Sequence, residues 1–482
     1  MDIRTDQDPE PAIHESSKSQ AEGSWSERRA VNHATHSSTQ NSWVTRRRKV
    51  GKVLLPAYAS PPVQLALVAF ISFLCPGMWN ALNGLGGGGL VQAEPANNAN
   101  VALYSTFSVA GFFAGIATNK LGVRATLSLG GLGYSLYSSS LLCYKHTQNS
   151  GFLLFAGLQL GLCAGLFWAA QGMVMISYPT EESKGKYISW SWMIYNMGAV
   201  IGSIIALVQN IHSEANDVGD ITFYVLIALS LLGTILALLL CEARQVERAD
   251  GSRVVLPQTL TWKSELIGLL ETLKHDSYIL LFFPMFFASN FFYPYQFNTF
   301  NLETFTIRTR SLNNTLYWLS EIAGAYLAGY ALDSARVRRS LRAKIAMGVL
   351  LILTFVVWSG AYVWQKKESE STTSIIGGSV KKDFSDSGYV GPMILYLSFG
   401  LFAAAWQTCL YWFIGALTND SRKLANFAGF YKGIQSAGGA VSFRVNTLGI
   451  SSVNELVTCW ALLTASLFIA APATIRKIRD HE

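Results

Sequence analysis

The chain has 482 residues, half of them hydrophobic and only 14% charged, with a formal net charge of +7. Because soluble domains usually carry about 25% charged residues, this composition excludes an ordinary soluble protein and indicates an integral membrane protein. The basic residues lie in short stretches between apolar segments, which argues against nucleic-acid binding. Residues 1–50 are polar, and we expect them to form a disordered cytoplasmic tail without a cleaved signal peptide.

Long apolar segments follow this tail. A helix needs about 20 predominantly apolar residues to cross a bilayer, and we identify twelve segments of that kind. The sequence therefore predicts an all-α integral membrane protein with twelve transmembrane helices. The predicted spans are 63–83, 100–119, 125–143, 151–178, 187–209, 221–241, 277–297, 313–332, 342–364, 390–417, 427–449 and 452–475.

The distribution of Lys and Arg predicts the orientation of the chain. These residues accumulate on the cytoplasmic side of membrane proteins, and with alternating spans 24 of them lie on one side and 7 on the other. We therefore expect both termini in the cytoplasm, including the tail 476–482, in either the plasma membrane or an internal membrane. The linker 242–276 lies on the same side, and its regularly spaced leucines predict a helix on the membrane surface.

Two parts of the chain are similar to each other. The segments "LYSTFSVAGFFAG" (Leu103–Gly115) and "LYWLSEIAGAYLAG" (Leu316–Gly329) share Leu-Tyr and Ala-Gly at an offset of 213 residues. Repeats in the same orientation are typical of transporters built from two halves. We therefore expect two pseudo-symmetric six-helix halves, 51–241 and 277–475.

A similar short loop follows each of these segments. A glycine permits close helix approach, an Asx side chain can cap the next helix, and arginine holds the loop at the cytoplasmic surface. The pattern resembles the loop signature of the major facilitator superfamily, which implies gating loops, although an Asn replaces the usual Asp in the first half. The residues are Gly115, Asn119 and Arg124 in the first half, and Gly329, Asp333 and Arg336 in the second.

Four further stretches resemble one branch of that superfamily. Residues 75–89, 166–192, 312–318 and 431–446 are similar to fungal members of the uncoordinated-ninety-three-like branch. The resemblance implies a secondary transporter in the lipid bilayer that moves a small molecule or ion by alternating access. Because the best-known animal members are described as channel regulators and trafficking partners, the alternative is a non-transporting scaffold that regulates or escorts another membrane protein.

Polar residues within the spans are the candidate substrate-binding residues. Such side chains are costly when they face lipid, and in the superfamily the first, fourth, seventh and tenth helices line a central cavity. Each side chain can equally form hydrogen bonds between helices without any ligand. The candidates are Asn80, Asn83, Gln171, Asn196, Asn290, Tyr293, Gln296, Gln407, Lys432 and Gln435.

Three charged residues within the spans invite separate hypotheses. At about 100° per residue, Lys432 shares a polar stripe with Gln435, which suits a cation in a water-filled cavity. Its position also allows the side chain to extend to the cytoplasmic surface. Glu321 and Arg444 lie at about 12 Å and about 8 Å depth by helical rise, which predicts a charge pair. The alternatives are an outward-pointing Arg444 and a proton-coupling Glu321.

No pattern in the chain indicates catalysis, ATP binding or a cofactor. The six cysteines lie in or beside apolar segments without metal-ligand spacing, so we expect neither a metal nor enzyme activity. The motif Gly84-x-Gly86-x-x-Gly89 matches a dinucleotide fingerprint, but it follows a membrane helix rather than a strand. We interpret it as a flexible outer loop.

Overall fold

The structure, a computed structural model, describes residues 44, 48–50, 53–180, 183–213, 215–248, 251–252, 254, 262–334, 336–373, 381–418 and 420–480. The predicted disordered tail lies almost entirely outside these residues. Where the tail ends, β1 (Arg48–Val50) pairs with β2 (Val53–Leu55) in a short antiparallel hairpin. Almost all the other described elements are helices.

The first group of helices, which we call the N-terminal helices, covers residues 61–238. It consists of α1 (Pro61–Leu74), α2 (Pro76–Gly84), α3 (Glu94–Thr147), α4 (Ser150–Ser177), α5 (Lys184–Asn210) and α6 (Asp220–Leu238). α1 and α2 meet at Cys75 because Pro76 has no backbone N–H to continue the helix. The two form one apolar segment of 24 residues.

Helix α3 contains two of the predicted spans. It has 54 residues, which corresponds to about 80 Å at 1.5 Å per residue and exceeds the hydrocarbon thickness of about 30 Å. Gly122 interrupts it with φ 80° and ψ 159°, a conformation that is open to glycine and strained for other residues. The interruption lies between the predicted spans 100–119 and 125–143.

The second group, which we call the C-terminal helices, covers residues 277–477 and follows the linker helix α7 (Trp262–His275). Its first segment is broken into a 3₁₀-helix (Ser277–Phe282), α8 (Phe283–Ala288) and a π-helix (Tyr295–Leu302). It continues with α9 (Ile307–Leu332), α10 (Arg339–Thr373), α11 (Val390–Leu417), α12 (Ser421–Thr447) and α13 (Ser452–Lys477).

The broken segment corrects the prediction of one continuous span over 277–297. The interruption follows Ala288, and Pro294 then lies at the N-terminal cap of the π-helix. Proline cannot donate the backbone hydrogen bond that a continuous helix requires at this position. The chain thus reaches the end of this segment through irregular backbone.

Eight of the described helical segments are long and apolar enough to cross a membrane, judged by length and composition. They are α1 together with α2, and α3, α4, α5, α6, α10, α11 and α13. α9 and α12 have similar lengths, 26 and 27 residues, but contain more polar residues. That polarity indicates that both helices lie mainly against protein rather than lipid.

Buried hydrophobic residues form two cores, one mainly within each group of helices. Glycines let neighbouring backbones approach closely. A Cβ atom at Gly161 would lie 2.4 Å from the carbonyl oxygen of Leu103, and one at Gly438 would lie 2.0 Å from that of Phe287. Such contacts hold the helices at fixed distances, so polar side chains between them have defined positions.

Candidate functional site

Lys432 lies in the middle of α12, next to several polar side chains. Its ammonium group donates a hydrogen bond to Oε1 of Gln435 at 3.0 Å. Nε2 of Gln435 donates to Oδ1 of Asn290 at 2.9 Å, with Oγ of Ser289 at 3.2 Å and the hydroxyl of Tyr431 at 3.3 Å. These bonds determine which end of the amide faces the lysine, because only the carbonyl oxygen of Gln435 can accept from a cation.

Aromatic rings surround the same ammonium group. Nζ of Lys432 lies 5.4 Å from the ring centre of Tyr431, 5.5 Å from that of Tyr411 and 6.0 Å from that of Trp168. Trp192 stacks on Trp168 with 6.0 Å between ring centres and lies 6.2 Å from Tyr411. A cation–π contact contributes about 0.5–2 kcal/mol, depending on exposure. The lysine therefore lies where N-terminal and C-terminal helices meet.

The partial exposure of the side chains around Lys432 indicates an internal space between the two groups of helices. These side chains come from α4, α5, α11, α12 and the segment after α8, and they contact one another across both groups of helices. Each is only partly buried although it lies away from the helix ends, which indicates room for water or a small solute. The residues are Trp168, Trp192, Tyr195, Tyr293, Gln407, Tyr411 and Lys432.

Other predicted site residues extend this polar lining. Nε2 of Gln407 donates a hydrogen bond to the hydroxyl of Tyr293 at 2.8 Å, and Nδ2 of Asn80 donates to the hydroxyl of Tyr195 at 2.8 Å. Both amides use one donor on a tyrosine and keep other polar atoms for further partners. The structure thus brings Asn80, Tyr293 and Gln407 to the edge of the space.

Two predicted residues bond to neighbouring helices instead. Oδ1 of Asn83 accepts from Asn100 at 3.1 Å, and Oε1 of Gln296 accepts from Tyr317 at 2.9 Å. This arrangement fits the alternative of interhelical hydrogen bonding without a ligand. None of the hydrogen bonds described above includes half-buried Gln171 or buried Asn196.

The structure does not bring Glu321 and Arg444 together. Arg444 is exposed, and its Nη1 reaches only Oγ1 of Thr447, at 3.4 Å. Glu321 is 8% exposed, and its Oε2 atom has no hydrogen-bond partner in the described part of the chain. Among the described residues no ion pair includes either side chain. Compatible depths do not make two helices turn the corresponding faces toward each other. Arg444 is exposed, and the predicted pair is absent among the described residues.

A second polar cluster joins the two groups of helices at one end of the bundle, which we call the closed face (residues 84–97, 216, 298–314 and 446–455). Arg310 is fully buried there. Its Nε donates to the carbonyl oxygen of Leu85 at 2.8 Å, Nη2 to that of Gly86 at 3.0 Å and Nη1 to that of Asn216 at 2.8 Å. A single side chain of the C-terminal helices thus forms hydrogen bonds with two loops of the N-terminal helices.

An asparagine network continues the closed face. Asn97 donates to Oδ1 of Asn446 at 2.6 Å, and Asn298 donates to Oδ1 of Asn97 at 2.8 Å. Oδ1 of Asn298 accepts from the backbone N–H of Gly87 at 2.8 Å, and Asn446 donates to Oε1 of Glu455 at 2.8 Å. Nearly every donor and acceptor is used, so the network joins the two groups without leaving costly unpaired groups.

The glycine-rich loop is a packed part of the closed face. Residues 86–89 all have positive φ and are buried. A Cβ atom at Gly84 would lie 2.1 Å from Oδ1 of Asn314, and one at Gly86 would lie 2.2 Å from the carbonyl oxygen of Phe297. The expectation of a flexible outer loop is therefore not met, because glycine serves here for close approach and left-handed backbone.

Comparisons with known proteins identify the family. A model of the Major Facilitator Superfamily matches residues 65–443. The chain is 48% identical over 441 residues to an UNC93-like protein of Schizosaccharomyces pombe, covering 92% of this chain and 87% of that protein. It is 40% identical over 412 residues to UNC93-like protein 1 of Arabidopsis thaliana, covering 85% and 89%. The chain belongs to the UNC93-like branch of the major facilitator superfamily.

Solved transporter structures share the fold of this UNC93-like protein. The D-xylose–proton symporter matches with a TM-score of 0.55 at 14% identity, covering 87% of this chain and 99% of that chain. The nucleoside transporter NupG matches with a TM-score of 0.56 at 14% identity, covering 86% and 99%. At such identities the likeness concerns the fold alone. Substrates do not follow from fold.

The loop motifs of this UNC93-like protein differ from the predicted capping arrangement. Asn119 lies inside α3, three residues before the interruption at Gly122. Asp333 lies at the C-terminal end of α9, where its N–H donates to the carbonyl oxygen of Gly329 at 2.9 Å. Neither Asx residue stands at the start of a helix, so neither caps one. The remaining motif residues are half-buried Gly115 and exposed Arg124 and Arg336.

Most residues of the closed face were not among the predicted site residues. Arg310 is one of the 7 basic residues on the less basic side, between the predicted spans 277–297 and 313–332, and the asparagines lie near span ends, where polar residues are common. A usable signal is that most of these positions fall within two helical turns of predicted span ends on the same side of the membrane. The missed residues are Asn97, Asn298, Asn301, Arg310, Asn314, Asn446 and Glu455.

Proposed function

We propose that the chain is a secondary transporter that moves a small solute by alternating access. The observation that carries this proposal is the space around Lys432, which is lined by side chains of both groups of helices. A solute held there would contact both groups at once, so that a rocking movement of one group against the other could carry access from one side of the membrane to the other.

The proposal includes twelve spans in two six-helix halves. The interruption at Gly122 divides α3 into two spans, and the broken segment 277–302 together with α9 and α12 supplies three more. Added to the other apolar helices, these segments give six spans in each group. With the excess of basic residues placed in the cytoplasm, the closed face is the non-cytoplasmic one, and the loop motifs lie at the cytoplasmic entrance.

The contrast between glycines at the two ends supports a state that is shut at the closed face. There, Cβ atoms at Gly84 and Gly86 would collide with the other group of helices at about 2 Å. At the opposite ends of the helices, Cβ atoms at Gly185, Gly329 and Gly429 would meet nothing within 4 Å. Gly84 and Gly86 are thus packed against the other group of helices, whereas Gly185, Gly329 and Gly429 are not.

Uptake into liposomes tests the proposal. Purified protein should accumulate at least one compound of a broad solute panel above protein-free liposomes. In a variant with Asn97→Cys and Asn446→Cys, a short bifunctional thiol reagent should block this uptake reversibly, because the closed face could no longer open. Each single cysteine variant, treated in the same way, is the control.

Two results would contradict the proposal. Uptake that continues after complete cross-linking would exclude alternating access through the closed face. Absence of any uptake, together with stable co-purification of another membrane protein, would favour the scaffold alternative.

A further inference from the structure

The ammonium group of Lys432 has donors that the protein does not use. A lysine side chain has three N–H donors, and the one hydrogen bond seen for Lys432 goes to Oε1 of Gln435. Among the described residues no carboxylate lies within 4 Å of this ammonium group. The donors that remain are next to the internal space.

The position of this cation is fixed before any ligand arrives. Gln435 is held by Asn290, Ser289 and Tyr431, so its carbonyl oxygen stays directed toward Lys432. Aromatic rings stabilise the cation on other sides. A pre-organised cation loses little conformational entropy when it binds an anion, which favours affinity.

The charge balance and the walls of the space limit the chemistry of the ligand. Lys432 can pair with one negative charge of a ligand, while a multiply charged anion would bring further charge into a site walled largely by aromatic rings. Trp168, Trp192 and Tyr411 offer flat apolar surfaces beside the ammonium group. Such surfaces pack well against a planar or apolar organic body.

We infer that the space around Lys432 binds a small organic monocarboxylate, whose carboxylate accepts hydrogen bonds from Lys432 and whose apolar body packs against Trp168, Trp192 and Tyr411. The inference deepens the proposed function and rests on it only for the claim that this ligand is carried across the membrane. Binding itself requires nothing beyond the described site.

Binding of benzoate to the purified full-length protein in detergent tests the inference. Tryptophan fluorescence reports the event because Trp168 and Trp192 line the site, and the thermal unfolding temperature gives a second measurement. Benzoate should quench the fluorescence and raise the unfolding temperature. Benzamide, which is neutral and has nearly the same shape, should bind at least tenfold more weakly.

Variants assign the binding to this lysine. Lys432→Gln should weaken benzoate binding at least tenfold. Lys423→Gln is the matched control, because Lys423 is on the same helix but lies outside the site, where it pairs with Asp276 at 2.8 Å. If Lys432→Gln does not fold, Gln435→Glu provides an independent test, since a carboxylate beside Lys432 should displace benzoate and cause a similar loss.

Several results would overturn the inference. These are absence of benzoate binding to the folded wild-type protein, equal binding of benzamide, unchanged binding in folded Lys432→Gln or Gln435→Glu, and equally strong binding of inorganic phosphate or chloride. Benzoate binding without uptake into liposomes would leave the inference intact and contradict only the proposed function. Uptake of other solutes without benzoate binding would do the reverse.

Discussion

Replacing Gly86 by alanine should open the closed face. Gly86 has φ 79° and ψ 139°, a backbone conformation that costs a residue with a side chain about 1–3 kcal/mol. The new Cβ would also lie 2.2 Å from the carbonyl oxygen of Phe297 and 2.6 Å from Cβ of Leu302, and overpacking of this kind costs about 1–3 kcal/mol. Together these two effects should destabilise the closed arrangement by about 2–6 kcal/mol, which raises the equilibrium constant for opening at least about tenfold.

Hydrogen exchange of peptides covering residues 85–93 measures this opening. The N–H of Gly87 is bonded to Oδ1 of Asn298 in the other group of helices, so this amide exchanges when the loop separates. Gly388→Ala is the matched control, since Gly388 lies outside the closed face and also has positive φ, 95°, but its Cβ would meet nothing within 4 Å. Unchanged exchange of the loop in folded Gly86→Ala would refute the assignment of this loop to the seal.

Three further predictions concern stability, measured by thermal unfolding in detergent. Burial raises the pKa of Asp383, but hydrogen bonds from Arg308, Thr306 and Ser385 outweigh this effect and hold the pKa well below its ordinary value. The stabilisation from this carboxylate is therefore complete above about pH 4 and is lost as the pH falls further. Asp383→Asn should be less stable than wild type near neutral pH and should lose less stability on acidification. An identical pH profile of the two proteins would contradict this role of Asp383. Gly438→Ala should lower the stability of the protein by about 1–3 kcal/mol because its Cβ would meet the carbonyl oxygen of Phe287. Gly429→Ala, whose Cβ would meet nothing within 4 Å, should raise the stability by up to about 1 kcal/mol through helix propensity. Equal effects of the two substitutions would contradict the packing argument. Glu321→Gln should keep or raise the unfolding temperature because it removes a buried carboxylate whose Oε2 has no hydrogen-bond partner among the described residues. A fall of several degrees would contradict this expectation.

The helical segments were predictable because their signal is local. A run of about 20 apolar residues fixes a span, and all the predicted spans fall on described helical segments, including the two parts of α3. The broken segment after α8 was not predictable in the same way, since membrane helices tolerate proline where neighbouring groups satisfy the freed backbone. The bends there depend on which neighbours satisfy the freed backbone groups, and those neighbours are distant in sequence.

Within the candidate site, too, local spacing was predictable and contacts between distant residues were not. The polar stripe of Lys432 and Gln435 follows from helical spacing, and the structure joins these residues by a hydrogen bond at 3.0 Å. The predicted pair of Glu321 with Arg444 used depth alone, which leaves the direction of each side chain undetermined. Burial of Arg310 depends on carbonyl groups of Leu85 and Asn216, and neither residue gives a local indication that it would receive a cation.

One segment connects the space around Lys432, the central site, with the closed face. Asn290, just after α8, holds the amide of Gln435, while Asn298 in the π-helix bonds the N–H of Gly87. Between them the chain passes Pro294 through irregular backbone, and π-helical turns are less stable than α-helical ones, so this part can change shape at modest cost. A ligand bound to Lys432 would therefore be linked, through Gln435 and Asn290, to the same segment that holds the glycine loop. Physical coupling of two sites requires such a shared element. Exchange of residues 85–93 measured with and without benzoate tests it: a change in the wild type that is absent in Lys432→Gln is expected, and identical exchange despite bound benzoate would show that the central site and the closed face act independently.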